Sequence, residues 1–451
     1  MAIDLPAIGQ TGIAAAEAAL AAVESNITNA SNPNYSSESV QFGALAGPNG
    51  AGAGVEVLGT TSAQAPFLTA QINLNQNTES YNQQFSQIAT LAQQVIEPGS
   101  GTDLGSALQS VFDAFTNLAA SPQDPTLRTA VINAAANFAQ TAQSVNSGLG
   151  TIVSNQLSQL APLVAQVNQD SQQIATLNSQ IQATQTGGGN AGALIDQREA
   201  LISNLASLVG ASADSNGDVS VGGVPLVSGG TALTLATTGT GTSIGLEVQL
   251  SNGTVPVQMS SVGGTAGGIL AGAQAVEQLQ SQVLNYTNSV ASAVNTQYQS
   301  GYGLDGSTGN TLFDVSATGG PISLDPNVTV QNLAAASSAA GVPGDGSNAT
   351  AIAALANALG ADSSLPSSTP AQAFSQIVSS FGTTLQTANN AQQQASSTLQ
   401  SLTQLQGSIT GVSINDQLTQ LLQYQNLLQA SGRAVQAADD MTTFLIQELS
   451  Q

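Results

Sequence analysis

Cysteine, histidine, lysine and tryptophan are all missing from this 451-residue chain, and each absence closes off some chemistry. Without cysteine there is no disulfide framework, no thiolate metal site and no cysteine nucleophile. Without histidine the commonest general base and the commonest zinc ligand go together. No GxSxG elbow, phosphate-binding loop or dinucleotide fingerprint replaces them, and no pair of carboxylates stands out for acid–base work. We therefore expect no enzyme, no metal and no cofactor. Aromatic residues make up only 4% of the chain, so its cores must be built from Ala, Leu, Val and Ile.

Charge is scarce as well, at 6% of residues, against about 25% in an ordinary soluble domain. Solubility must rest on Gln, Asn, Ser and Thr together with a one-signed charge. The 26 acidic residues face three Arg, a net charge of −23. Such a surface repels phosphate backbones and anionic lipid, so neither nucleic acid nor a membrane is an expected partner. The first cation is Arg128, so no basic leader precedes an apolar stretch. No run approaches the roughly 18 apolar residues of a spanning helix. The expectation is a cytoplasmic chain, or one exported without signal cleavage.

What the chain does have is helical periodicity. Near its start Ile13, Ala16, Leu20, Val23, Ile27 and Ala30 recur at spacings of three and four. Near its finish Leu421, Tyr424, Leu428, Ser431, Val435, Ala438, Met441, Leu445 and Leu449 do the same. Each set forms one stripe of a helix, the seam geometry of a coiled coil. Periodicity alone leaves two readings open, a pair within one chain or contacts between copies in a polymer.

Between the seams, turn formers from Asn29 to Tyr35 end the first helix, and a Gly-rich stretch from Gly47 to Gly54 leads to a short strand at Val55–Leu58. Helical patterns follow from Tyr81 to a stop at Pro98-Gly99, and from Leu104 to Leu118. Asp124-Pro125 reads as a cap followed by a helix start. We expect helices over about Thr126–Gly148 and Thr151–Thr186, with Pro162 kinking the second or sitting in its first turn. Leu194–Val209 then returns as an antiparallel helix. Period-two alternation at Ile244–Leu250 and Val255–Met259 around Asn252-Gly253, and at Val219–Leu226 around Gly222-Gly223, marks β-hairpins. Helix resumes from Val276 to Tyr298, irregular chain runs to about Ala361, and a long helix from Phe374 turns at Gly407–Val412 into the last one.

The fold class is mainly α with a small β-rich module. Residues 1–60 and 407–451 form a terminal coiled-coil-like assembly domain, 61–210 with 265–406 an elongated helical bundle, and 211–264 an inserted all-β domain. Asp214-Ser215-Asn216-Gly217-Asp218 begins like a calcium loop but lacks its Gly and bidentate Glu, so it is read as a turn. Leu304–Asn310 reads as an ordinary Gly-rich loop.

The residues also resemble a family. Ala15–Leu20, followed by Asn26-Ile27 and Asn29-Ala30-Ser31-Asn32-Pro33-Asn34-Tyr35-Ser36, is similar to the N-A-N-T-P-G-Y-S-R motif of flagellar axial proteins. Asn34 stands in place of Gly and Ser37 in place of Arg. Ser413–Gln417, Gln429–Val435 with Arg433, and Asp439-Asp440-Met441 resemble the matching C-terminal end of rod, hook and hook-associated proteins. Three interior blocks resemble the hook-associated family that joins hook to filament. These are Asp124-Pro125-Thr126-Leu127-Arg128, Leu194-Ile195-Asp196-Gln197-Arg198, and Gly301-Tyr302 with Leu304-Asp305-Gly306. The resemblance implies a non-enzymatic junction protein, forming a homo-oligomeric ring at the hook tip with its terminal helices inside. It further implies the hook protein and a second junction protein as neighbours, a flagellar export chaperone, and an extracellular location. A hook or distal rod protein is the alternative within the class, and a secreted acidic adhesive or carbohydrate-binding protein the alternative outside it.

All three cations fall inside these blocks. In a chain so poor in positive charge, Arg128, Arg198 and Arg433 are each expected to clamp a carboxylate or backbone carbonyls within the fold or the polymer.

Overall fold

The computed structural model describes residues 5–46, 52–97, 103–239, 244–315, 320–357 and 369–449. The Gly-rich stretch 47–51, the Pro98-Gly99 stop and the end of the irregular region near Ala361 lie outside them. The architecture is mainly α with small antiparallel sheets.

Helix α1 (Leu5–Asn29) packs along α10 (Ile414–Leu449). The pair is antiparallel, since Gly9 and Gly12 lie against Val435 and Ser431 while Asn26 meets Gln417. Against the other side of α1 lies a hairpin of β1 (Glu38–Ala46) and β2 (Gly52–Ser62), longer than the single short strand expected from the sequence. Most of its side chains are exposed or half-buried, and register shifts interrupt its alternation, so period-two patterning under-reports it.

The body is a bundle whose stripes come from both sides of the β-rich segment. Helix α2 (Pro66–Ile96) packs on α7 (Gly264–Gln299) and α9 (Pro370–Thr410). Between them in sequence come α3 (Leu104–Ala120), α4 (Pro125–Ser158), α5 (Leu160–Thr186) and α6 (Gly192–Val209). One apolar cluster runs through the whole body and includes Ile88, Phe115, Phe138, Leu205, Val276 and Phe374. Few aromatics serve it, and they pair. Phe138 and Phe313 meet edge to face with centroids 5.8 Å apart, an arrangement that contributes about 0.5–1.5 kcal/mol beyond area burial.

Pro66, Pro125 and Pro370 each open a helix, where the ring's fixed φ fits and no internal N–H partner is lost. Asp124 caps α4 by accepting the Thr126 amide at 2.8 Å. Two boundaries differ from the sequence reading. Helix α4 runs unbroken through Gly148 and Gly150, and the break comes at Gln159, with Pro162 in the first turn of α5. Gly148 is a packing residue rather than a breaker, because a β-carbon there would stand 3.0 Å from Val95 Cγ1 on α2. Helix α9 likewise continues past Gly407 to Thr410.

The β-rich segment holds two sheets. Four short strands, β3 (Ser212–Ala213), β4 (Val219–Val221), β5 (Val224–Ser228) and β6 (Thr231–Ala232), form the first. The second comprises β7 (Thr234–Thr238), β8 (Gly245–Leu250) and β9 (Gly253–Val257). Asn168 of α5 braces it, accepting the Leu235 amide and donating to the Leu235 carbonyl, both at 2.8 Å. The stretch after α7, read as irregular, contains β10 (Phe313–Asp314), β11 (Ser323–Leu324) and α8 (Ser347–Ala354).

Candidate assembly site

The α1–α10 pair and the joint that holds it to the body form the candidate site. On α10 the side facing α1 is the expected seam. Leu421, Tyr424, Leu428, Ser431 and Val435 are half-buried, and Ala438 is buried. On α1 the buried stripe is offset from the expected one. Ala15, Ala16, Ala19, Ala22, Val23 and Asn26 are buried, whereas Ile13, Leu20 and Ile27 are half-buried at its margin. The small residues win this face because close approach needs them. A β-carbon on Gly12 would stand 2.7 Å from Ser431 Oγ. These seam residues are therefore occupied within one chain.

Beyond Ala438 four apolar side chains of α10 stand open to solvent. Met441 is 53% exposed, Phe444 63%, Leu445 58% and Ile446 63%. The side chain of Leu449 lies outside the described residues. Leu418 and Leu422, turned away from α1, are also exposed. The apolar side chains left open are thus mostly ones that the seam pattern passes over.

A buried polar knot ties the pair to the hairpin, and the turn between them ties it to the body. Asn26, fully buried, donates to the Glu38 carbonyl at 2.8 Å and to Gln417 Oε1 at 3.1 Å. Its Oδ1 accepts the Glu38 amide at 2.8 Å and the Tyr35 hydroxyl at 2.9 Å. Burial pushes the Tyr35 hydroxyl above its ordinary pKa, opposed by its contact with Ser25. Asn32 Oδ1 accepts the Asn34 amide at 3.1 Å, which folds the turn that carries exposed Pro33 and brings Tyr35 inward. Next in line, the Ser36 amide and hydroxyl donate to the two oxygens of Asp196 at 2.8 and 2.9 Å. Burial raises the Asp196 pKa while these two donors hold it down. Ser37 donates its amide to the Thr410 carbonyl at 2.8 Å, closing the joint between α1, the hairpin, α6 and α9.

Sequence reasoning named Asn26, Asn32, Pro33, Tyr35, Ser36, Asp196 and Gln417 within family-like blocks only. The structure brings Asn26, Tyr35, Ser36, Asp196 and Gln417 to one joint and adds Glu38.

The remaining motif residues lie elsewhere. Arg128, 1% exposed, donates Nε to the Pro122 carbonyl at 2.6 Å and Nη1 to the carbonyls of Val330 and Leu333 at 3.0 and 2.8 Å. Desolvation lowers its pKa. Arg198 donates to the Asn216 carbonyl at 3.0 Å and pairs with Glu199 at 3.0 Å, so the Asp214–Asp218 segment is a clamped turn. Gln197 faces an open, amide-lined groove of about 710 Å³ between α5 and α6. Gly301 is buried against Asn348, and Tyr302 exchanges backbone hydrogen bonds with Ala336. Arg433 is exposed, and no hydrogen bond or ion pair reaches it among the described residues. Of the three cations expected to find a partner within the fold or the polymer, Arg128 and Arg198 have theirs within the fold.

No group of three acidic side chains that could hold a metal occurs among the described residues, and no described helix is long and apolar enough to cross a membrane.

Residues 89–313 match the family model of the flagellar hook-associated protein FlgK helical domain. Flagellar hook-associated protein 1 of Salmonella typhimurium is 28% identical over 327 residues, covering 68% of this chain and 58% of its own length. The chain thus spans under two thirds of that relative. The Bacillus subtilis protein of the same name is 22% identical with 95% of both chains covered. The flagellar hook junction protein FlgK from Burkholderia pseudomallei superposes with a TM-score of 0.65 at 18% identity, over 76% of this chain and all of that one. That last likeness is one of fold.

Proposed function

We propose that the chain, whose residues 89–313 match a model of the flagellar hook-associated protein family, is a structural junction subunit of the bacterial flagellum. It assembles as a homo-oligomeric ring at the hook tip, outside the cell, and connects hook to filament without catalysing a reaction. The hook protein lies on one side of the ring and a second junction protein on the other. A flagellar export chaperone accompanies the chain before secretion.

We assign residues 1–60 and 407–451 to assembly, 61–210 with 265–406 to the supporting bundle, and 211–264 to the outer surface. The observation that carries the reading is the helix pair itself. Its inner seam is filled within the chain, yet α10 still shows Leu418, Leu422 and Phe444 to solvent. A monomer gains nothing from such exposure, whereas a packed tube buries it. Deleting the gene for this chain should leave hooks without filaments. The full chain should restore filaments, and a version with those three residues changed to Ser should not. Normal filaments in the deletion strain would overturn the proposal.

A further inference from the structure

Lysine is absent from this chain and arginine occurs three times, so an enzyme that cuts after basic residues meets three candidate bonds. All three arginines lie in helices, and the loops and turns, where chains are ordinarily nicked, offer none. The fold closes two of the bonds. Arg128 is 1% exposed with its guanidinium bound to three carbonyls, and Arg198 is 6% exposed and held by the Asn216 carbonyl and Glu199. Arg433 differs. It is exposed on α10, and from there to residue 448 every side chain except Val435 and Ala438 is exposed too. Val435 meets α1 at Gly9, a contact with no side chain on the α1 side. An isolated helix of about 12–15 residues is marginal in water, so a helix end this lightly covered opens locally at small free-energy cost. Opening gives the extended chain that a protease binds, and cleavage then follows the population of the open form.

We infer that the Arg433–Ala434 bond is the single processing site of the folded chain for an arginine-specific serine protease, and that its cut weakens assembly without unfolding the subunit. Water adds across the amide, leaving a carboxylate on Arg433 and a new amino group on Ala434, and residues 434–451 depart. With them go Met441, Phe444, Leu445 and Ile446, each more than half exposed. The seam from Leu421 to Ser431 stays, as does the contact of Asn26 with Gln417 at 3.1 Å, so the remainder keeps its fold. A subunit already packed among its neighbours shields the bond, which confines the cut to free chains. The place of the cut follows from composition and burial, whereas its effect on assembly rests on the proposed function.

Limited digestion of the full chain with trypsin, read by intact mass, tests it. The native chain should be cut once, to a species ending at Arg433, and cuts after Arg128 and Arg198 should appear only once urea has unfolded it. Arg433→Gln should stay whole, and Arg433→Lys should be cut as the unaltered chain is. The clipped chain should keep the thermal transition of its body by circular dichroism. It should need about tenfold more protein to polymerise, the scale of losing one large apolar side chain from a contact. A native chain cut first after Arg128 or Arg198, or left whole by trypsin that digests the unfolded chain, overturns the site. A clipped chain that polymerises as readily as the intact one overturns the effect on assembly and leaves the site standing. Failure of the intact chain to polymerise or enter flagella counts instead against the proposed function.

Discussion

Replacing Asn26 by Ala should loosen α1 from α10 and from the start of the hairpin without unfolding the body. The side chain makes four hydrogen bonds, to the Glu38 carbonyl and amide, to Gln417 and to the Tyr35 hydroxyl. Each contributes about 0.5–1.5 kcal/mol net, and a partner left buried and unmatched costs more. Tyr35 keeps its contact with Ser25, at 3.1 Å, and the hairpin edge can recruit water, so the loss is nearer 3 kcal/mol than the sum. Local opening at that free-energy change speeds amide exchange about a hundredfold. Exchange monitored by mass spectrometry should accelerate by that factor over residues 26–46 and 410–420. Peptides from α3 and α4, which make none of these bonds, should keep their rates. Acceleration under threefold at the joint, or equal acceleration in α4, would refute the knot as the local fastener.

Removing the Arg128 guanidinium strands three carbonyls, so Arg128→Met should cost about 3–5 kcal/mol in urea unfolding, whereas Arg433→Gln should stay within about 0.5 kcal/mol. Two glycines in helices should respond with opposite sign to Ala. A β-carbon on Gly268 would meet the Tyr81 carbonyl oxygen at 2.5 Å, and overpacking of this kind destabilises by about 1–3 kcal/mol. Gly382 has nothing within 4 Å of that position, so Gly382→Ala should stabilise by about 0.5–1 kcal/mol. Acid should loosen the region after α7 first. Donors from Ser347 and Ser337, from Ser307, and from Thr311 hold the carboxyls of Asp345, Asp305 and Asp325 below their ordinary pKa. Their contribution is present above the unfolded carboxylate pKa and is lost as pH falls toward the depressed values. Amide protection over 305–349 should therefore decline below about pH 4, and Asp345→Asn should weaken it already at neutral pH.

How much of this was legible depended on whether the deciding partner was near in sequence. The Asp124-Pro125 start of α4 was, because cap and proline act within one turn. So were the hairpins near Gly222-Gly223 and Asn252-Gly253, although the second turns one residue earlier, on Ser251-Asn252, with Gly253 already paired to Leu250. Gly148 read as a break because its reason, Val95 on another helix, is a tertiary one. Arg128 was legible as a residue needing a partner, but its carbonyls at Val330 and Leu333 lie some two hundred positions away. The seam of α10 followed from spacing. That α1 would answer it with alanines rather than with Ile13, Leu20 and Ile27 depended on the hairpin packed on its other side. Strand β1 left little trace, since so few of its side chains are inward.

The central claim is that the outward face of α10 is where copies of this chain meet. Side-chain oxidation by hydroxyl radicals, compared between dilute and polymerised protein, tests it most directly. Leu418, Leu422 and Phe444 are open on α10, and Leu250 and Val255 are open in the β-rich segment. The account predicts that polymerisation shields the first three and leaves the last two reactive. Continued oxidation of Leu422 and Phe444 in the polymer, with Leu250 and Val255 protected instead, would contradict it.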